Sequence, residues 1–325
     1  MNKVSSPPPT HLAASRAFPV SIGTHTLHLA IYGPARTSST PLTIVFPGAG
    51  DVAYSWLPTA RIVSATTPIL LYDRSGLGLS DDPPPSSPVN AVTAATELKT
   101  ALANAGLEPP YILCAHSYGA IVAREFLELH ESDVAGIVLV DPSGERQSEY
   151  FKLPDENIVA VTGALRTTVV TGLRADTILT PLEWAERATL VRRGVDATMK
   201  EVGAFVEVCE TLGRKRQLER RLLGTKPLSV IKANSKRDFE RIYEKGVEVG
   251  NGTQEQQRGF RELLDSWDEA DKVIKEGQLQ LSSNARLIHL SDCGHYVHLV
   301  RPQVVADEIR WVSDNLAASG DFSRL

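Results

Sequence analysis

Cys114-Ala115-His116-Ser117-Tyr118-Gly119 is the stretch on which the reading of this chain turns. It follows the apolar run Tyr111–Cys114 and leads into Gly119 to His130, where Ile121, Val122, Phe126 and Leu129 form one helical stripe. A serine between a buried strand and such a helix, with a small residue two positions to either side, has the form of a nucleophile elbow, G-x-S-x-G with Ala115 in the place of the first glycine. Small flanks let the chain pass closely at a strained turn. The turn projects the hydroxyl over the sheet edge, and the helix N-terminus favours negative charge developing there.

To either side of the elbow, short apolar runs recur, each ending in small or turn-forming residues. They are Leu42–Phe46 before Pro47-Gly48-Ala49-Gly50, Ile69–Tyr72, Gly136–Val140, Leu228–Ile231 and Arg286–Leu290. Unbroken apolar runs are expected of strands buried on both faces. Val20 to Tyr32 alternates instead, with a turn at Ile22-Gly23-Thr24, which predicts a hairpin. Helical periodicity fills the gaps: Ala91 to Ala105, stopped by Gly106, and Pro302 to Leu316, with Val305, Ile309, Val312 and Leu316 on one side. Strands alternating with helices predict an α/β fold, a mostly parallel central sheet flanked by helices.

Two stretches break the alternation. Between Gly144 and Lys226 the chain is helix-prone and charged, and it reads as a helical cap inserted after the sixth core strand, residues 145–226. The core is then 18–144 and 227–325, and the polar, Pro/Ser-rich residues 1–17 read as a disordered leader. Ser235 to Ser283 is a second polar, helix-prone excursion.

Composition narrows the function. The chain has 325 residues, 42 % of them apolar and 22 % charged, with a net charge of −5. That is a globular profile without the clustered positive charge of a nucleic-acid-binding face. The basic cluster Arg214-Lys215-Arg216 with Arg220 and Arg221 reads as a solvated helix face. No apolar run approaches the roughly 20 residues that cross a bilayer. Cys114, Cys209 and Cys293 form no CxxC pair, so neither a disulfide framework nor a zinc knuckle is expected, and a reducing, cytoplasmic location is the default.

A serine hydroxyl needs a base beside it. His295, in Ser291-Asp292-Cys293-Gly294-His295, follows the last expected strand, and Gly294 permits a tight loop that can aim the imidazole across the sheet. His298 is the rival, with packing or substrate lining as its plainer role. His295 and His298 have no third ligand in sequence reach, so no metal is expected. The base in turn needs an acid. Asp141, ending Gly-Ile-Val-Leu-Val-Asp, is preferred, because a carboxylate abutting an apolar strand is costly without a partner. Asp238 lies several residues past its strand, in a charged stretch, and is the alternative. For the oxyanion, the N–H of Tyr118 is one expected donor, and Ala49, in the Gly-rich loop after Leu42–Phe46, supplies the other.

These motifs in this order, Phe-Pro-Gly-Ala-Gly at 46–50, Tyr-Asp-Arg-Ser-Gly-Leu-Gly-Leu-Ser at 72–80, Ala-His-Ser-Tyr-Gly at 115–119, Val-Leu-Val-Asp-Pro at 138–142 and Gly-His-Tyr-Val-His-Leu-Val-Arg-Pro at 294–302, resemble the α/β-hydrolase superfamily over residues 20 to 316. The resemblance implies cofactor-free hydrolysis of esters, thioesters or lactones through an acyl-enzyme. It allows the acid after either of two strands, here Asp141 or the end of Leu228–Ile231. The usual Gly-x-x-Asp is missing after the latter, and Pro47 stands where a histidine is common. Asp73 and Arg74 match a motif that is mostly structural. The expectation is a capped serine hydrolase of the carboxylic ester class acting on a small or medium acyl compound, with Ser117, His295 and Asp141 as its triad. Acyl transfer, cyclisation or lyase chemistry at the same site is the alternative, and a non-catalytic binding protein is a more distant one.

Overall fold

A computed structural model describes residues 16–316. Eight strands form one sheet: β1 (Arg16–Ser21), β2 (Thr26–Tyr32), β3 (Leu42–Phe46), β4 (Ile69–Tyr72), β5 (Tyr111–His116), β6 (Val134–Val140), β7 (Leu228–Ala233) and β8 (Ala285–Leu290). Their order across the sheet is β1-β2-β4-β3-β5-β6-β7-β8. From β4 to β8 neighbouring strands run parallel, while β1 and β2 form the antiparallel hairpin that the alternation predicts.

Successive side chains of a strand face opposite ways, so each central strand feeds two cores. Leu42, Ile44 and Phe46 pack with the helices Ala91–Asn104 and Tyr118–Leu129. Val45, Ile112, Cys114 and Val138 pack with Leu57–Val63 and Pro302–Leu316. Every residue of β3, β4 and β6 is buried, as unbroken apolar runs require. The run in β8 differs: its residues are half-buried or exposed, because β8 is the edge of the sheet with a neighbour on one side only.

The hairpin reaches into the expected leader. Arg16 and Ala17, expected in a leader over residues 1–17, pair with Ile31 and Ala30 of β2. The rest of that leader, residues 1–15, lies outside the described residues.

Between β6 and β7 the chain forms a series of helices, the longest being Pro181–Arg193, Val195–Gly203 and Phe205–Arg214. Two more, Ser235–Glu248 and Gln254–Gly277, lie between β7 and β8. The second pair does not cover the sheet alone. Ile242, Phe260, Leu264 and Trp267 turn their apolar side to Phe151 and Val161 of the first insertion, and the two insertions share one core. The basic cluster is more than a solvated face: Lys215 pairs with the buried Glu125, and Arg220 with Glu128, both on the helix that follows Ser117.

Candidate active site

Ser117 sits at φ 51°, ψ −125°, between β5 and its helix. Its N–H donates to the Val140 carbonyl at 3.2 Å and its carbonyl accepts from Ser143 N–H at 3.1 Å, so β6 and the loop after it fix the strained turn. The small flanks have visible causes. A Cβ on Gly119 would lie 2.1 Å from the Phe46 carbonyl oxygen, so only glycine fits. Ala115 is fully buried, and its methyl group is accommodated where the motif usually has glycine.

Asp141 follows β6 at φ 43°, another positive value for a residue with a side chain. Its Oδ2 lies 2.5 Å from His295 Nδ1, and its Oδ1 accepts from Ala233 N–H at 2.9 Å. Lys275 also binds Oδ1. Burial alone would raise the Asp141 carboxyl; the Lys275 ammonium and the His295 hydrogen bond outweigh it and hold the group well below the usual carboxylate range. An ionised carboxylate only accepts, so the hydrogen shared with Asp141 belongs to Nδ1.

Asp238 does something different. Its Oδ2 accepts from the backbone N–H of His295 at 2.9 Å. It approaches so closely that a Cβ on Gly294 would lie 2.3 Å from its oxygens. On the other side, His116 Nε2 lies 3.0 Å from the His295 carbonyl and must donate to it. Burial and the neighbouring His295 and His298 push His116 well below the ordinary imidazole range, so it is neutral. His295 is therefore held at three points: Asp141 on its ring, Asp238 on its N–H and His116 on its carbonyl.

The loop after β3 is tied down from beneath. Arg74, fully buried, donates to the carbonyls of Pro47 and Gly48, each at 2.7 Å, and pairs with Glu201 at 2.6 Å. Glu201 also accepts from Gly50 N–H at 2.9 Å. Arg74 thus acts through the loop that carries Ala49, as its structural motif implies. Glu201, from the first insertion, was not legible in the sequence, where one more glutamate in a charged helix carries no mark.

His298 is fully buried. It stacks on Trp56, ring centroids 4.3 Å apart, and its Nε2 lies 3.3 Å from Asp51 Oδ2. Asp51 Oδ1 accepts from Ser55 at 2.5 Å and from Arg187 at 2.9 Å. The sequence offers His298 no nearby third ligand, yet in space Asp51, His116 and His298 place ligand-capable atoms within 4.8 Å of one another. Arg187 already neutralises the one carboxylate in this group. A divalent cation added there would leave buried positive charge uncompensated, which is costly.

Ala49, Ser117, Tyr118, Asp141 and His295 line one cavity of about 380 Å³. Its walls come from both insertions and are mainly apolar, among them Phe151, Ile158, Phe205, Phe239, Trp267 and Ile274. The structure therefore brings together all five residues singled out from the sequence. Lys275 and Asp271, which also reach this cavity, had no signal in the sequence beyond their helical spacing.

A mostly parallel sheet with a strained serine elbow and a histidine–aspartate pair at its strand ends defines an α/β hydrolase. The chain belongs to the alpha/beta hydrolase family, whose match covers residues 44–308. Over 319 residues it is 30% identical to a protein of Hormonema carpetanum named probable transporter efuK, a match that takes in 94% of this chain and 44% of that relative. The chain thus spans less than half of that protein's length. It is 28% identical over 295 residues to an AB hydrolase superfamily protein of Gibberella zeae, covering 87% of this chain and 90% of the relative. The structure of a thermophilic esterase from Thermogutta terrifontis matches with a TM-score of 0.59 over 93% of this chain and 99% of that one, at 13% identity, which shows a shared fold. Among the described residues no helix is long and apolar enough to cross a membrane.

Proposed function

We propose that the protein is a serine hydrolase that cleaves an ester, thioester or lactone with an apolar acyl or alcohol part. The observation that carries this reading is the 2.5 Å contact of Asp141 with His295 Nδ1, in a cavity that Ser117 also lines. With Nδ1–H donated to Asp141, Nε2 is free to take the Ser117 proton as its oxygen attacks the substrate carbonyl. Amides of Ala49 and Tyr118 hold the oxyanion. His295 then returns the proton to the leaving group and activates water for deacylation. In this reading residues 145–226 are a cap, and the helices between β7 and β8 form its second half. The apolar walls favour a neutral substrate, since a charged group would lose its hydration there. No metal or cofactor takes part, because the ionised acid, base and backbone donors suffice for acyl transfer.

A panel of 4-nitrophenyl esters and lactones tests the reading, with product formed in ¹⁸O-labelled water. Hydrolysis puts one solvent oxygen into the acid product. Turnover without that label would redirect the reading to acyl transfer or cyclisation, in which an alcohol rather than water captures the acyl-enzyme.

A further inference from the structure

The acid of the site is gripped by a cation for which a simple serine–histidine–aspartate relay has no use. Lys275 is buried, and its Nζ binds Asp141 Oδ1, Asp271 Oδ1 at 2.5 Å and Ser235 Oγ at 3.2 Å. Three acceptors satisfy the three donors of an ammonium group. Burial would lower the Lys275 ammonium, but Asp141 and Asp271 outweigh it, and the group stays charged. Burial raises the Asp271 carboxyl, and Lys275 opposes that rise.

We propose that Lys275 and Asp271 are positioning residues for the base, a charge-balanced brace that sets how strongly Asp141 favours the imidazolium of His295. The inference rests on the serine-hydrolase reading. Its geometric basis is the division of labour on one carboxylate: Oδ2 faces His295, while Oδ1 faces Lys275. A cation on Oδ1 draws off charge that would otherwise stabilise the imidazolium, and Asp271 on the far side of the ammonium restores part of it. Trp267, Asp271, Ile274 and Lys275 recur on one face of the helix Gln254–Gly277. That face both walls the cavity and holds the acid. The helix that meets the substrate is therefore the helix that tunes the base.

Other charges face His295 too. Asp238 lies at its backbone with Arg237 near by, His116 and His298 stand beside it, and the Asp51–Arg187 pair lies beyond His298. None of them contacts Asp141 Oδ1. Changes at residues 271 and 275 therefore alter the acid's surroundings while leaving these groups in place.

The test is the rate of fluorophosphonate labelling of Ser117 against pH, in the wild type, Lys275→Met, Asp271→Asn, the double variant and Lys275→Arg, with thermal melts confirming that each is folded. Lys275→Met leaves the Asp141 carboxylate without its cation, so more of its charge acts on His295 and the charged form of the base is favoured. The acidic limb of its profile moves to higher pH by about half a unit or more. Asp271→Asn leaves Asp141 as the one anion on Lys275, frees Lys232 of the same partner, and moves the limb to lower pH. The double variant falls between the single ones, and Lys275→Arg restores most of the wild-type profile. Opposite shifts are the signature, since a merely structural brace would slow both single variants without separating their limbs. If Lys275→Met does not fold, Asp271→Asn and the double variant still decide the sign. Limbs that coincide, or that move the same way, overturn the brace while the labelling itself upholds Ser117. A wild type that resists labelling at Ser117 overturns the underlying reading and the brace together.

Discussion

The strand-end side and the helical side of the site are built by different means. At the strand ends, backbone geometry does the positioning. Ser117 and Asp141 both hold positive φ, and their N–H groups donate to the carbonyls of Val140 on β6 and Ile231 on β7, which locks them. On the helical side, buried ion pairs do it: Glu201 with Arg74, Arg187 with Asp51, and Lys275 with Asp141. Each pair joins a residue of the insertions to one of the core. The difference teaches that the insertions are more than walls. They reach down and hold Asp141 and the loop that carries Ala49, and they do so with charges that are costly to leave unpaired.

Four substitutions can break or sharpen that contrast. Ser117→Ala removes the proposed nucleophile and should lower kcat by about ten-thousandfold or more, measured on whichever ester the panel identifies. Arg187→Met strips Asp51 of its main partner and should cost about 3 kcal/mol of stability near neutral pH, read from denaturant unfolding. Its pH dependence follows from the sign of the shift. Burial opposes ionisation of Asp51, but Arg187, then His298 and Ser55, hold its carboxyl far below the usual range. The stabilisation this gives is present above the unfolded carboxyl value near pH ~4 and is lost as pH falls further. The gap between wild type and variant should therefore narrow on acidification; a gap that widens would contradict the assignment.

Glu201→Gln leaves Arg74 charged without its counter-ion and loosens the loop that carries Ala49. The expected result is a fall in kcat of about ten- to a hundredfold with KM little changed, since the loop acts on the oxyanion rather than on the bound substrate. The smallest effect is expected for Asp238→Asn. It keeps the size of the group that meets the His295 N–H but weakens the acceptor, and activity should drop by about tenfold or less. A loss as large as that of Asp141→Asn would mean that the two aspartates share the acid's work and that the contrast between ring and backbone support is wrong.

Legibility followed the same divide. Residues positioned by local backbone geometry left marks in the sequence: the small flanks of Ser117, the aspartate abutting an apolar strand, and the glycine before His295. Even the rivalry of Asp141 and Asp238 was visible, although only the fold separates the oxygen that meets the imidazole from the one that meets a main-chain N–H. Residues positioned by long-range pairing left none. Glu201 and Lys275 sit in amphipathic helices crowded with charge, where a buried partner looks like any solvated one. The helices after β7 show the same gap. Their apolar stripe shows that they pack, but periodicity does not say against what.

Mass-spectrometric mapping of a fluorophosphonate adduct tests the central claim most directly. The account expects a single stoichiometric adduct on Ser117 in the wild type, with labelling slowed at least about a hundredfold by His295→Ala and by Asp141→Ala. An adduct on another residue, or labelling of Ser117 that persists at the wild-type rate without His295, would contradict it.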